Sequence, residues 1–269
     1  MHKPLRIETL MPDGPLARLG KTVHTLETTT STNTFLLDEA ANLPDGAIAT
    51  AEYQTSGHGR FGRTWNAPRG SSILLSVLLF ESEDSPVSGG VTMLAALAAA
   101  EAVELETSCR PALRWPNDIV IAGKKLGGVL AESRRLSAGN GPRRRALVVG
   151  IGLNCLQHKG HFSRELAEIA TSLEIESAHP VDRHAVARSL LQRLDARLTS
   201  LSRSGIEAAR LAEEWADRCE DLGTHVMLEA NGRRYTGTVL EVTEHGDLVV
   251  QLDDGGRRRF ESATTTRIR

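Results

Sequence analysis

The chain has 269 residues, 40% hydrophobic and 25% charged, which is ample for a substantial core and typical of a globular protein. Its 32 basic and 34 acidic residues give a formal net charge of −2, so a protein that coats nucleic acid is not expected. Three widely spaced cysteines without a CxxC pair favour a reducing cytoplasm, and neither a signal peptide nor an apolar run of about 18 residues predicts export or a membrane span.

The first 20 residues are predicted to be a loosely ordered lead-in. An apolar helical run then follows "TSTN", and "AIATAEYQ" and "SSILLSVLLF" predict two strands separated by a glycine-rich loop. The Ala/Leu-rich stretch "VTMLAALAAAEAVELE" predicts a buried helix. Beyond it, "PALRWPNDIVIAGKKLGGVLAESRR" is typical of strand, turn and strand, and "RRALVVGIGLNC" of a further strand. Helices are predicted at 163–172, at 181–204 and over "IEAARLAEEWADRC".

The pattern changes near Asp221. From there, short alternating strands are separated by the turn pairs Asn231-Gly232, His245-Gly246 and Gly255-Gly256. The sequence therefore predicts a small antiparallel β domain. We expect a lead-in at 1–20, a main domain at 21–220 and this β domain at 221–269.

The loop "QTSGHGRFGRTW", from Gln54 to Trp65, has the composition of an anion clamp. Glycine lets backbone N–H groups approach a ligand closely. Arg60 and Arg63 offer guanidinium groups that suit carboxylates and phosphates. The alternative is a solvated loop with incidental arginines.

A second candidate lies in "RWPNDIVIAGKKLGGVLAE". Asn117 and Asp118 stand at a predicted strand end, and Lys125 follows seven residues after Asp118, so a hairpin would turn Asp118 and Lys125 towards one cavity. Gly127 and its neighbouring glycine would let a ligand or another strand lie against the backbone. The alternative is a hairpin with a surface Asp and Lys. The chain has only five lysines, which favours a function for Lys125.

Two shorter motifs complete the set. In "VVGIGLNC", Gly150 and Gly152 thin one face of a strand that Asn154 ends, but neither a GxGxxG nor a GxxxxGK[ST] phosphate loop is present. In "TSTN", Ser31 or Thr32 is either an ordinary helix N-cap or a hydroxyl offered to a ligand.

In this order, "STN", "EYQTSGHGRFGRTW", "RWPNDIVIAGKKLGGVLAE" and "GIGLN" resemble the motifs of the biotin–protein ligases. The resemblance covers residues 25–215 well and extends to the C-terminal β domain. It implies an α+β fold, in which a mixed-sheet domain related to class II aminoacyl-tRNA synthetases precedes a small β-barrel resembling Src-homology-3 domains. It also implies an ATP-dependent, AMP-forming ligase that makes biotinyl-5′-adenylate from biotin and MgATP, and then transfers biotin to one lysine of a biotin carboxyl carrier protein domain.

The resemblance also implies the site residues. Ser31, Thr32 and Gln54 would bond the ureido end of biotin, and the biotin site as a whole would comprise Ser31, Thr32, Asn33, Gln54, Gly57, His58, Gly59, Arg60, Lys125 and Gly127. The site for ATP and the adenylate would comprise Arg60, Arg63, Trp65, Asn117, Asp118, Lys125 and Asn154. Arg60, Lys125 and Asp118 would be catalytic, with Lys125 on the acyl-phosphate oxygens. Asp118 would orient or deprotonate the incoming lysine, or act with Mg²⁺. Asn154 would bond adenine.

Two departures from the family pattern stand out. His58 replaces the first arginine of the usual Arg-Gly-Arg, so a fixed charge becomes a titratable one. About 20 residues precede the first motif, so we expect a monofunctional ligase without a helix-turn-helix repressor domain, a monomer or homodimer that binds no nucleic acid. The rival hypotheses are a lipoate or octanoate ligase, which generally lacks the arginine loop and W-P-N-D, and a non-catalytic biotin sensor, which would have a damaged phosphate site.

Overall fold

A computed structural model describes residues 3–82, 89–136, 144–201 and 206–268. The ends of three predicted segments, residues 1–2, 202–204 and 269, lie outside these ranges. Within them the chain forms a seven-stranded mixed sheet with helices, followed by a five-stranded antiparallel sheet. This agrees with the predicted α+β class.

The seven-stranded sheet has the order β1-β2-β3-β7-β6-β5-β4. Strands β1 and β2 pair in parallel, and every other neighbouring pair is antiparallel. Its strands are β1 Val23–Leu26, β2 Ile48–Ala51, β3 Ser72–Ser82, β4 Ala112–Arg114, β5 Asp118–Ile121, β6 Lys124–Leu136 and β7 Arg144–Asn154. The predicted strand, turn and strand over 111–135 is thus three strands, because the segment turns twice.

Seven α-helices accompany the sheet in the described part of the chain. They are α1 Ile7–Leu10, α2 Thr32–Asp38, α3 Gly89–Glu106, α4 Arg164–Ile169, α5 Leu173–Glu176, α6 Arg183–Leu201 and α7 Ile206–Arg218. Helix α3 is buried as predicted, with eight of its residues fully inaccessible from Ala95 to Val103. The single helix predicted at 163–172 is instead the shorter α4, and α5 begins after it. None of the described helices combines the length and the apolar character needed to cross a membrane.

The two faces of the sheet have different partners. Alternate residues of a strand project to opposite faces, and Leu75, Val77 and Val149 lie in the large core that contains α3 and α6. Leu78 and Val148 face the other way and pack with α2 in a smaller cluster. Helix α2 therefore stands on the face that α3 and α6 leave open.

The lead-in is packed against the main domain, so the prediction of a loosely ordered segment is wrong for residues 3–20. Leu5 and Leu10 are buried in the large core, and the Leu5 N–H donates to Glu52 Oε1 at 2.7 Å. Glu52 also pairs with Arg183 of α6 at 2.9 Å, and both side chains are almost fully buried. Arg183 donates in turn to the Lys3 carbonyl at 2.9 Å. This ion pair joins the lead-in, the end of β2 and α6.

The second sheet has the order β11-β10-β9-β8-β12. Its strands are β8 His225–Ala230, β9 Arg233–Val242, β10 Leu248–Leu252, β11 Arg257–Phe260 and β12 Thr265–Ile268. Trp115 joins it to the main sheet: the Trp115 N–H donates to Asp221 Oδ2 at 2.7 Å and its indole N–H to the Gly246 carbonyl at 2.9 Å. Burial raises the pKa of Asp221, and the nearby Arg267 guanidinium partly offsets this.

Candidate active site

Three glycines, Gly128, Gly150 and Gly152, leave a strip of bare backbone on the face of the sheet that carries α2, and we call this strip the trough. Gly128 and Gly152 lie opposite each other in the β6–β7 register, and Gly150 is two residues further along β7. A Cβ on Gly152 would lie 2.9 Å from the Trp65 ring, and a Cβ on Gly150 would lie 2.2 Å from Asn33 Oδ1. The prediction that glycines thin this face is confirmed, and Trp65 and Asn33 occupy the space.

Neutral polar groups line one end of the trough. Gln54 Oε1 accepts hydrogen bonds from the Thr32 N–H at 2.8 Å and from the Thr32 hydroxyl at 3.1 Å. Ser31 occupies the N-cap position of α2, but its side chain makes no cap hydrogen bond. The alternative that the Ser31 hydroxyl caps the helix is therefore wrong. Gln54 satisfies the first free N–H of the helix, that of Thr32.

A chain of hydrogen bonds continues from Thr32 to His58. Ser76 Oγ lies 2.7 Å from Thr32 Oγ1 and 2.6 Å from Asn33 Oδ1. Asn33 Nδ2 donates to Glu132 Oε2 at 2.8 Å, and His58 Nε2 lies 3.3 Å from both oxygens of Glu132. The sequence analysis missed Ser76 and Glu132. A serine with three apolar residues on either side, in "ILLSVLL", was the available signal for Ser76.

Charged groups line the other end. The β5–β6 hairpin turns at Ala122 and Gly123, which have φ values of 50° and 74°. Lys125 Nζ lies 2.5 Å from Asp118 Oδ1, and both side chains are partly exposed. Lys125 Nζ also lies 5.9 Å from the centre of the Trp65 ring. The prediction that the hairpin brings Asp118 and Lys125 together is confirmed. That the two side chains face a ligand cavity stays a prediction.

The loop that carries the predicted anion clamp folds into a narrow hairpin over the trough. The Gly59 N–H donates to the Arg63 carbonyl at 2.7 Å, and the Trp65 N–H to the Gly57 carbonyl at 2.9 Å. A side chain at Gly57 would place its Cβ 2.6 Å from the Trp65 carbonyl oxygen, so glycine is required there. At the tip, Phe61 has a φ of 56° and is largely exposed.

Both loop arginines make their hydrogen bonds to the C-terminal sheet. Arg60 donates to the carbonyls of Ser262 and Thr265, the latter at 2.8 Å, and Arg63 donates to Thr266 Oγ1 at 3.0 Å. Burial lowers the pKa of Arg60 to about 10, while the charge of Asp118 acts in the opposite direction. Arg60 therefore lies within electrostatic range of Asp118, while its Nη2 donates to the C-terminal segment. That Arg60 and Arg63 contact an anionic ligand stays a prediction.

Asn117 and Gly127 hold neighbouring strands together. Asn117 Nδ2 donates to the Val129 carbonyl at 2.6 Å. A Cβ on Gly127 would lie 2.5 Å from the Gly152 carbonyl oxygen, so the close neighbour that Gly127 permits is strand β7. The structure accounts for both residues without a ligand, and their predicted ligand contacts stay predictions.

Asn154 is buried at the end of β7. Its Nδ2 donates to the Thr171 carbonyl at 3.0 Å, and its Oδ1 accepts from Gln157 Nε2 at 2.8 Å. The side chain ties the strand end to the segment before α5. Its predicted role in binding adenine is not tested by these contacts.

The residues present fit a Mg²⁺ ion that arrives with a nucleotide. Across residues 3–82, 89–136, 144–201 and 206–268, no group of three or more His, Cys, Asp and Glu side chains could hold a metal ion by itself. Mg²⁺ commonly uses one or two carboxylates together with substrate phosphates. Asp118, partly exposed beside Lys125, is a suitable carboxylate.

The arrangement suits a ligand with a neutral polar head and an anionic tail. The head would meet hydroxyl and amide groups that form no ion pair, and the tail would meet the ammonium of Lys125. A fixed positive charge in a partly dehydrated site stabilises negative charge that develops during a reaction. The site therefore has the parts for chemistry at an acyl or phosphoryl group.

A family model described as "Biotin/lipoate A/B protein ligase family" matches residues 25–154. A biotin--[acetyl-CoA-carboxylase] ligase of Mycobacterium tuberculosis is 34% identical over 243 residues, 87% of this chain and 84% of that protein. A bifunctional ligase/repressor BirA of Bacillus subtilis is 28% identical over 82% of this chain. The match spans 66% of the Bacillus protein's length.

A solved structure of similar fold is the biotin protein ligase from Aquifex aeolicus in complex with biotin and ATP. Its TM-score is 0.77 at 26% sequence identity, and the match covers 93% of this chain and 100% of that chain. Both the mixed sheet and the C-terminal sheet therefore have counterparts in that protein.

The contact between Asn33 and Gly150 yields a prediction about stability. Gly150→Ala would place a Cβ 2.2 Å from Asn33 Oδ1, so Asn33 must move and lose its bonds to Ser76 and Glu132. We expect a loss of about 1–3 kcal/mol in the free energy of unfolding, measured by urea denaturation. Gly160→Ala is the matched control, since no atom lies within 4 Å of its added Cβ. Equal stability of the two variants would contradict this account of Gly150.

Proposed function

The chain belongs to the biotin/lipoate A/B protein ligase family, and we propose that it is an ATP-dependent ligase that attaches biotin to a lysine of a biotin carboxyl carrier protein domain. One observation carries the proposal. A single glycine-lined trough has neutral hydrogen-bonding groups at one end and the Lys125–Asp118 pair at the other. Biotin has this division, with an uncharged ureido ring and a carboxylate tail. The Mycobacterium tuberculosis ligase supports the same assignment.

In the first step, the biotin carboxylate attacks the α-phosphate of ATP, and pyrophosphate leaves. The product is biotinyl-5′-adenylate, a mixed anhydride. Gln54, Ser31 and Thr32 would orient the ureido end, and Lys125 would stabilise charge on the oxygens around the reacting phosphorus. A compact ammonium suits this point contact, whereas a planar guanidinium suits a two-point contact. Mg²⁺ would accompany ATP as part of the co-substrate, with Asp118 as a carboxylate that could bind it.

In the second step, the amine of the carrier lysine attacks the acyl carbon, and AMP leaves. The amine must be neutral to attack, so a base has to accept its proton. Asp118 is the proposed base or orienting group, because its carboxylate lies beside Lys125 at the charged end. Arg60 would hold the adenylate until the carrier arrives. Its present partners are neutral carbonyls, and an anion would offer a charged partner in their place.

The finer fold and domain assignments are part of the same proposal. The order of the main sheet supports a catalytic domain of the type related to class II aminoacyl-tRNA synthetases. The five short antiparallel strands support a barrel of the Src-homology-3 type at 221–269. Helix α7 ends at Arg218 and strand β8 of the second sheet begins at His225, which supports a division near residue 220.

The direct test is incubation of the protein with biotin, MgATP and a purified carrier domain, followed by mass spectrometry of the carrier. The expected result is a mass increase of one biotin on a lysine. A parallel reaction with lipoate or octanoate separates the two branches of the family. Labelling by lipoate but not by biotin would overturn the choice of substrate.

Lys125→Ala is expected to fold normally and to lose about 10²–10³ in the rate of adenylate formation, because a positioned charge at the reacting phosphate is removed. Biotin-dependent release of pyrophosphate measures this step. Lys124→Ala is the matched control, because the adjacent lysine donates to the Ala167 carbonyl instead. A Lys125→Ala rate within about threefold of the unmodified protein would move Lys125 out of the catalytic group.

Arg60→Gly is expected to make the adenylate but to release it early, so that unrelated lysines become biotinylated. The reason is that the loop would lose its anion-binding side chain. Incubation with biotin, MgATP and albumin measures the labelling of a bystander. Arg69→Ala is a control, because Arg69 contacts Glu27 and Thr28 away from the trough. Bystander labelling no higher than that of the unmodified protein, with adenylate synthesis intact, would show that Arg60 does not retain the intermediate.

A further inference from the structure

Both ring nitrogens of His58 face hydrogen-bond acceptors. Nδ1 lies 3.2 Å from the carbonyl oxygen of Ser56, and Nε2 lies 3.3 Å from each oxygen of Glu132. A neutral imidazole carries one N–H, and an imidazolium carries two. Only the protonated ring can donate to Ser56 and Glu132 together. The neutral ring leaves one nitrogen lone pair against an oxygen.

Glu132 connects His58 to the residues at the neutral end of the trough. Its Oε2 also accepts from Asn33 Nδ2 at 2.8 Å. One carboxylate thus joins helix α2 to the loop from Gln54 to Trp65, which we call the ligand loop. Arg134, two residues further along β6, is directed to Leu37 and Asp38 instead. Within the described residues, Glu132 is thus the charged side chain within hydrogen-bonding reach of His58.

We propose that Glu132 and protonated His58 are positioning residues, which fasten the ligand loop to the helix that presents Thr32 and Asn33 and so slow the escape of the bound adenylate. This inference rests on the proposed function, because it concerns retention of the adenylate in that same trough. Neither residue needs to touch the reacting atoms. Glu132 acts on the head end through Asn33, and on the loop through His58.

The sign of the effect follows from the hydrogen bonds. A histidine side chain changes charge within the range of about pH 5 to 8. At the acidic end the imidazolium donates to Glu132, and the loop is fastened. At the alkaline end the neutral ring keeps only one of its two hydrogen bonds, to Ser56 or to Glu132, so the adenylate leaves faster. The pair is about one-third exposed, with side-chain values of 31% and 32%. The expected change is therefore only about three- to fivefold.

Glu132→Gln is expected to reverse the pH dependence of adenylate release. A purely structural role of Glu132 would not produce this reversal. The glutamine amide oxygen can still accept from Asn33, and its N–H₂ then faces His58 Nε2. Neutral His58 satisfies this arrangement, with Nδ1–H donating to Ser56 and Nε2 accepting. Protonation would place two N–H groups against each other. The variant should therefore release the adenylate faster at pH 6 than at pH 8.

The experiment follows the release of radiolabelled biotinyl-5′-adenylate from the full chain into an excess of unlabelled compound, between pH 6 and pH 8.5. The unmodified protein should release it about three- to fivefold faster at the alkaline end. His58→Arg, which carries a fixed charge, should show a flat profile at the slow rate. Glu132→Gln should show the opposite slope. His225→Gln is the matched control, since His225 pairs with Asp253 on the C-terminal sheet, and its profile should equal that of the unmodified protein.

The outcomes separate this inference from the proposed function. If the unmodified protein retains no adenylate at any pH, the proposed function fails. If it retains adenylate with the same profile as His58→Arg, the positioning inference is overturned and the function stands. This second comparison needs only a substitution on a partly exposed loop side chain, so it holds even if Glu132→Gln is unstable.

Discussion

The site depends on one close contact, between the carboxamide of Asn33 and the bare backbone at Gly150. A Cβ at Gly150 would lie 2.2 Å from Asn33 Oδ1, so the amide occupies the volume of a missing side chain. From there Asn33 reaches Ser76 on β3 and Glu132 on β6 at once. Burial of an amide is costly unless its donors and acceptor are satisfied. Both strands therefore have to supply a polar group at this level of the sheet.

The loop over the trough has two attachments of different kinds. At its base, neutral and charged hydrogen bonds join it to α2 and β6. At its tip, Arg60 and Arg63 reach the C-terminal sheet, and burial lowers the pKa of Arg60 to about 10. A desolvated guanidinium bonded to neutral carbonyls gains when an anion replaces them. The C-terminal sheet thus takes part in setting how firmly the loop holds a ligand, although it contributes no residue to the trough floor.

Several features were predictable from the sequence because they depend on local pattern and short spacing. The long strands β3, β6 and β7 and the buried helix α3 follow from apolar periodicity. The hairpin between β5 and β6 follows from a two-residue turn, and it brings Asp118 and Lys125 together at seven residues' separation. The glycines at 150 and 152 predicted a face without side chains, since alternation along a strand places both residues on one side of the sheet.

The tertiary structure decided which distant groups meet. Ser31 stands at the N-cap position of α2 without a cap hydrogen bond from its side chain. Gln54 accepts from the Thr32 N–H because residues 29 and 54 pair side by side across the sheet end. The lead-in packs against the main domain because Leu5 and Leu10 enter the core and because its backbone bonds the buried Glu52–Arg183 pair. Arg60 and Arg63 found partners about 200 residues away on β12 and the turn before it. Contacts between residues so far apart produce no periodic pattern in the sequence, so the sequence does not predict them. The sequence by itself determined the strands, the hairpin and the glycine-lined face, and only the three-dimensional register decided which polar groups close the site.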